Sequence, residues 1–268
     1  MYRPIQPGVT NRLIDLELHY QEFPPHPALQ PYIHCYWCIR SSDTLVAPLT
    51  YRVIPDGCVD ILMDVLDDEG MLVATTMQAP AYVPFTGQTH YIGIRFLPGC
   101  AGIFLDIPLP DLLDEMVLME DAQLQHDEAL EACLLDVTDM PTRIQKLDQY
   151  FIGKLDTLEQ TSDRRVLAAL KVIYQTQGNP ASDCLSNITS SRHLRRLFHK
   201  HTGVSPKVIS RIVRFQTLIR AILQAPEKHH SHVDIDFGYY DQSHFIREFK
   251  SLYGETPGRF LRSLQPPA

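Results

Sequence analysis

RHLRRLFHKHTGVSPKVISR, residues 192–211, and SHFIREFKSLYGETPGRFLR, residues 243–262, are one pattern written twice at an offset of 51. Leu194 with Phe198, and Phe245 with Phe249, are i,i+4 apolar pairs that bury one face of a short helix. Arg196 and Arg247 lie between those anchors, rotated toward the rim. Gly203 and Gly254 supply the left-handed stop. Ser205-Pro206 and Thr256-Pro257 then cap and start a following helix, with Ser or Thr at N-cap and Pro at N1. Upstream, Ser190 and Asp241 stand where an N-cap belongs. Each copy therefore predicts a short amphipathic helix of the size that enters a DNA major groove with its N-terminal part at the base edges.

The connector between the copies is SPKVISRIVRFQTLIRAILQAP, 205–226. Val208, Ile212, Phe215, Leu218, Ile219 and Ile222 recur at helical spacing. A helix of about 18 residues spans about 27 Å, close to the separation of about 34 Å between successive major-groove faces. Arg211 and Arg214 on its polar face are placed to meet phosphates, whereas Arg220 reads as a solvated arginine. The charge distribution agrees. Residues 163–268 carry 16 Lys and Arg against 8 Asp and Glu, while residues 1–162 carry 8 against 24. The whole-chain net charge of -8 conceals a basic unit suited to a polyanion and an acidic one that repels it. That contrast also lets the acidic half mask the basic half.

Residues 163–268 resemble the paired helix-turn-helix domain of the AraC/XylS family of transcription regulators. The pieces that carry the likeness are SSRHLRRLF, GVSP, GYYDQSHFIREF and GETPGRFL, in this order. The N-terminal half is similar, less distinctly, to a sensor domain of uncharacterised ligand found in some of these regulators, through VIPDGCVDIL (53–62) and YIGIRFLPGCAGIFL (91–105). The resemblance implies two recognition helices in adjacent grooves. Arg192, Arg195 and Arg196 are the implied base readers of the first. Ser243, His244 and Arg247 are those of the second, with Gln242 at its entry. Ser190, His193 and Lys200 are implied phosphate contacts. An ion pair to Glu248 or Asp241 is the competing role for Arg196 and Arg247. The chain departs from the family pattern in front of each reader. SDCLSNIT (182–189) has Cys184 for the small residue and Ile188 where glycine is usual. HHSHVDIDFG (229–238) is about two residues short, with Asp234 where alanine is usual.

The first half reads as strands and turns. LTYRVIPDGCVDILMDVLDDEG (49–70) combines β-branched residues with a Pro-Asp-Gly turn, and GQTHYIGIRFLPG (87–99) predicts a strand over Tyr91–Leu97. Frequent prolines favour a small barrel or sandwich. From Leu109 the spacing of Leu112, Leu113, Met116 and Val117 predicts a helix. A second runs from Thr142 to Leu158, with Ile144, Leu147, Phe151, Leu155 and Leu158 on one face. That face can pair with a second copy or pack on its own barrel. LEQTSDRR (158–165) marks the boundary, and a helix follows over Arg164–Gln175. The expected architecture is α+β and multidomain. A β-barrel or cupin-like sensor and dimerisation domain with helices occupies 1–158, and an all-α double helix-turn-helix occupies 163–268.

The rest of the sequence narrows the function classes. HCYWC (34–38) holds a C-x-x-C, but no second metal-ligand pair stands at zinc-finger spacing, and on a strand Cys35 and Cys38 point to opposite faces. KHHSHVD (228–234) reads as a polar loop, and the clustered histidines and glutamate of a cupin metal site are absent. No nucleophile-base grouping, P-loop or dinucleotide fingerprint appears, so no catalytic residue, metal or cofactor is expected and the chain is not expected to be an enzyme. Trp37, Asp56, Asp60 and Arg95 are the expected lining of a small-molecule pocket. No long apolar run predicts a membrane span, and MYRPIQPGVTNRL (1–13) lacks a secretory leader, so a cytoplasmic protein with reduced thiols is expected. The reading is a sequence-specific transcription regulator with double-stranded DNA, an unknown small effector, a second copy of itself and RNA polymerase as partners. A metal-, thiol- or alkylation-responsive regulator using Cys35 and Cys38 is the alternative.

Overall fold

The computed structural model describes residues 2–6, 17–67, 70–105, 107–121, 127–135, 139–157, 163–225 and 237–264. Its strands are β1 (Leu18–Phe23), β2 (Ile33–Ser41), β3 (Leu45–Val53), β4 (Val59–Asp64), β5 (Leu72–Ala74), β6 (Ala81–Gly87), β7 (His90–Phe96) and β8 (Met116–Leu118). Among them lies α1 (Ala101–Phe104), and α2 (Glu128–Leu135) and α3 (Met140–Thr157) follow. The C-terminal half holds α4 (Arg164–Gln175), α5 (Ser182–Ser186), α6 (Ser191–Thr202), α7 (Pro206–Gln224), α8 (Gln242–Tyr253) and α9 (Pro257–Ser263).

The strands do not close into the expected barrel. Six form one antiparallel sheet in the order β1-β2-β7-β4-β5-β8, and β3 and β6 pair as a separate ribbon. Pro48 lies within β3 and Pro84 within β6, opposite Thr50. Proline has no N–H to offer a further strand, so the ribbon cannot extend sideways there. It covers one sheet face instead. Strand alternation then separates two cores. Cys35, Trp37, Ile39 and Leu62 meet Tyr51 and Phe85 of the ribbon. Tyr36, Cys38, Ile61, Met63, Ile92, Ile94 and Phe96 point to the other face, toward the helices.

Two helix expectations fare differently. The stretch after Leu109 is no helix: Leu109–Asp111 make a single 3-10 turn and Asp114 takes φ 61°. Met116–Leu118 then add a strand to β5. Pro108 and Pro110 interrupt any longer helical ladder, and the Thr75 hydroxyl donates to the Leu112 carbonyl. By contrast α3 forms nearly as expected. Leu147 and Phe151 are fully buried, and the Phe151 ring meets Phe96 and Phe104 edge-on at 5.6 and 5.2 Å. That stripe packs on its own sheet, so it is not the self-pairing surface considered above; Leu158 lies outside the described residues.

The same core runs on into the C-terminal half through Val166, Ala169, Leu170 and Ile173 of α4, Leu194, Leu197 and Phe198 of α6, and Ile209 and Val213 of α7. Gly99, at φ 76°, lets the loop after β7 approach Leu170 and Thr202. A second cluster gathers Ile212, Phe215, Phe245, Phe249 and Phe260 around Ile54 from the first half. Truncating Phe151 to Ala removes a ring at the centre of the shared core. We expect it to cost about 3–5 kcal/mol in urea unfolding, with the helical signal of both halves lost in one transition.

Candidate functional site

The two repeated segments form the pair of helices their caps specify. Ser190 accepts from the His193 amide at 3.4 Å to start α6, and Asp241 accepts from the His244 amide at 2.6 Å to start α8. Gly203 and Gly254 end them at φ 74° and 92°. Ser205 caps α7 by accepting from the Val208 amide. Thr256 occupies the N-cap of α9, but its hydroxyl makes no cap bond, so this part of the expected cap is missing. At 19 residues, α7 is about 28 Å long. The short supporting helix α5 spans Ser182–Ser186, with Cys184 half-buried and Ile188 packed against the core. Its counterpart before α8, including Asp234 and the histidine-rich stretch, falls outside the described residues.

On α6, Leu194, Leu197 and Phe198 face inward, while Arg192, Arg195, Arg196 and Lys200 are exposed and His193 is half-exposed. Arg196 Nη2 lies 3.1 Å from His193 Nδ1. On α8, Gln242, Ser243 and Arg247 are exposed, and Arg247 Nε donates to the Ser243 carbonyl at 3.2 Å. His244 is turned aside: its ring stands 5.8 Å from Tyr239 and its Nε2 3.8 Å from Glu248. Glu248 is buried and is held by α7, not by Arg196 or Arg247. Arg214 Nη2 donates to it at 2.7 Å, and Arg211 Nε lies 3.5 Å away. Arg214 also lies over Tyr239 at 4.8 Å, so this expected phosphate contact is structural. Arg220 is half-buried, and burial holds its pKa below the ordinary range, unlike the freely solvated arginine expected. Sequence reasoning passed over Tyr240, which is 93% exposed beside the start of α8. The aromatic pair in GYYD was the available signal.

The four pocket residues chosen from scattered positions meet at one place. Arg95 donates from Nε and Nη2 to Asp60 at 3.1 and 2.8 Å, and Trp37 Nε1 donates to the same carboxylate at 3.0 Å. Asp56 Oδ2 lies 3.6 Å from Arg95 Nε and accepts from Gln6 Nε2 at 2.8 Å. Arg95 Nη1 reaches Tyr20 Oη at 3.3 Å. Gly93 makes room for the indole, since a Cβ there would overlap its ring atoms. Above this corner, between the sheet and the ribbon, is a cavity of about 120 Å³. Trp37, Asp60 and Arg95 line it together with Gln6, Tyr20, Tyr51, Phe85 and Tyr91, whereas Asp56 stands behind the wall. Burial pushes Asp60 up to about 6 although Arg95 and Trp37 favour its charge. Burial opposes the Arg95 charge, but Asp60, Tyr20 and Asp56 outweigh it and raise the pKa.

Cys35 and Cys38 alternate on β2 as expected, Cys35 toward the ribbon and Cys38 toward the helices. Burial pushes both thiols up, opposite to the shift of a reactive thiolate. Cys35 does approach Glu22 and His34, whose donor atoms lie with its sulfur within 4.8 Å of one another. Arg95 Nη1 is 3.6 Å from Glu22 there and works against a metal cation.

Comparison with known proteins finds a family match in each half of the chain. Residues 188–263 match a helix-turn-helix domain family, and residues 21–118 match a domain of unknown function (DUF6597). The C-terminal region is an AraC-type helix-turn-helix domain. A domain of this type suggests a DNA-binding transcription regulator, and here it is joined to a β-rich N-terminal domain. Among solved structures it is similar to ToxT from Vibrio cholerae, at 12% identity over 93% of this chain and 100% of that one, with a TM-score of 0.39. Another ToxT structure, with unsaturated fatty acid bound, matches at 12% identity over 94% and 96% of the two chains, TM-score 0.38. No curated protein matches. No helix among the described residues is long and apolar enough to cross a membrane.

Asp60 gives the cavity a pH signature. Its folded pKa, about 6, exceeds an unfolded value of about 3.9. The folded state therefore binds the proton more tightly. This group's contribution to stability is complete below about pH 4 and is lost as pH rises through about 6. Trp37 is the only tryptophan. Its emission should titrate with a midpoint near pH 6, and Asp60→Asn should abolish that transition.

Proposed function

We propose that this chain is a cytoplasmic, sequence-specific transcription regulator. In this reading it grips double-stranded DNA with α6 and α8 and answers to a small molecule held under the β3–β6 ribbon. The observation that carries the reading is the pair of capped helices, α6 and α8, both packed on α7. Each buries its aromatic or leucine face and leaves a polar face open. Arg192, Arg195 and Arg196 read bases from the first helix, since arginine pairs with guanine through two hydrogen bonds. Gln242, Ser243 and Arg247 read from the second, with His244 steering from Glu248. Ser190, His193 and Lys200 hold phosphates. RNA polymerase and a second protomer are the protein partners this role calls for. The regulator is built from residues 1–158 as sensor and 163–268 as DNA-binding domain, packed through one continuous core.

The ribbon offers a route between cavity and DNA reader. Tyr51 and Val53 of β3, and Val83 and Phe85 of β6, line the cavity. The intervening Arg52 points the other way and donates to Glu255 at 2.7 Å, with its guanidinium 4.5 Å from the Tyr253 ring. Glu255 follows Gly254, the stop of α8. A ligand that shifts the ribbon therefore shifts the end of the second reader, which biases the population of DNA-competent arrangements.

Selection of full-length protein on random DNA should enrich a motif with two boxes about 10–11 base pairs apart. Alanine at Arg192, Arg195 or Arg196 should cost about 1–3 kcal/mol per base-reading contact, with relaxed preference at one position of the first box only. Failure to enrich any motif would reject the reading. Arg52→Ala removes a partly exposed ion pair worth at most about 1 kcal/mol. Hydrogen exchange over 242–263 should then rise by up to about fivefold, with that of α6 unchanged.

A further inference from the structure

The cavity under the ribbon has a chemical bias that resides in its rings and its charge count. Five aromatic side chains line it: Tyr20, Trp37, Tyr51, Phe85 and Tyr91. Tyr51 and Phe85 meet edge-on at 6.2 Å, and Phe85 and Tyr91 lie tilted at 5.7 Å. Aliphatic residues such as Leu62, Val83 and Ala74 complete the wall. The polar corner contains the Arg95 guanidinium and the buried carboxylates Asp56 and Asp60, with exposed Glu22 beside them. His34, a further basic group at this corner, is held below its ordinary range by burial, with Arg95 and Arg220 also lowering it. The corner is therefore short of positive charge.

An anion entering here has to draw Arg95 away from Asp60, to which it donates from two nitrogens, and then face the freed carboxylates. A small, strongly hydrated cation finds mostly aromatic and aliphatic wall, with Asp60 already taken by Arg95 and Trp37. A weakly hydrated organic cation fits both features. Ring faces attract it without requiring hydrogen bonds, and its charge offsets the carboxylate surplus. The volume sets the size. An apolar cavity of about 150 Å³ takes benzene, so the 120 Å³ here suits a compact head group.

We infer that the cavity between the six-stranded sheet and the β3–β6 ribbon is an aromatic cage for a small organic ammonium ion, of the size of a trimethylammonium group. The inference rests on the reading of this cavity as the effector site. It names the class of effector from the cage alone.

Trp37, the only tryptophan, lines the cage and reports its occupancy. Full-length protein is titrated at pH 7.5 with choline, with its uncharged isostere 3,3-dimethylbutanol, and with trimethylacetate, while Trp37 emission is followed. The expected result is a saturable change with choline, at least about 10-fold tighter than with the isostere, and none with trimethylacetate. Val83→Phe, which fills the cage from the ribbon, should remove the choline response while the circular dichroism of the protein is unchanged. Ala74→Leu fills it from the sheet and serves the same purpose if Val83→Phe does not fold. Equal or tighter binding of the isostere or of trimethylacetate would overturn the inference, as would no response to choline or a response that survives both filled variants. Enrichment of a DNA motif with any of these negative results would leave the DNA-binding reading intact and reject the ammonium cage alone.

Discussion

The connector helix α7 must be covered on several sides at once, and the rest of the molecule is arranged to do so. Ile209 and Val213 enter the core shared with the sheet, while Ile212, Phe215, Leu218, Ile219 and Ile222 hold the second helix-turn-helix unit. Gln216 is fully buried between them, where an unpaired amide would be costly. Its side chain accepts from the Ile5 amide at 2.8 Å and donates to the Ile5 and Pro55 carbonyls at 3.2 and 2.9 Å. The polar residue in the middle of the helix thus ties the N-terminal strap and the Pro-Asp-Gly turn to the DNA-binding half. Gly178 permits the last close approach, because a Cβ there would overlap the Ser210 carbonyl and Arg214 amide of α7.

This packing treats the two repeated helices, α6 and α8, unequally. The first, α6, shares its core with the sheet and with the turn at Leu109. The second, α8, lies in a second core, to which the N-terminal half contributes Ile54, with Ile5 packed against it. Its remaining ties to the sensor include Arg52 to Glu255 and the close approach of the Tyr82 hydroxyl to Gly254. A body fixed at one end and lightly held at the other is suited to changing the relation between its two repeated helices. The light hold belongs to the ribbon, and the ribbon is also the roof of the cavity.

The cavity in turn depends on a sheet that does not close. Pro48 and Pro84 keep the ribbon separate, so the space between it and the sheet is filled only partly by Tyr51, Phe85 and Trp37. Gly93 allows the indole to lie flat across β7, where its N–H reaches Asp60. The ion pair of Asp60 with Arg95 bridges neighbouring strands β4 and β7, which the antiparallel register places opposite one another. A polar corner buried in this way is rigid and limits what the apolar remainder can accept.

By itself, the sequence determined the C-terminal helices, because their signals are local. Ser190, Asp241, Gly203, Gly254 and Pro206 act within one or two turns of where they stand, and the i,i+4 pairs choose the buried face without help from elsewhere. The strand alternation that separates Cys35 from Cys38 is local for the same reason. Only the tertiary structure decided which charged residues are free. Arg214 and His244 carry the same side-chain chemistry as their exposed neighbours, but Glu248, on another helix from Arg214, engages both. The stretch after Leu109 has helical spacing and becomes a turn and a strand, because β5 offers an open edge and the prolines deny a helix. Trp37, Asp56, Asp60 and Arg95 could be picked out singly as charged or aromatic residues near strands. Their meeting depends on strand order β2-β7-β4, a long-range pairing that no local pattern encodes.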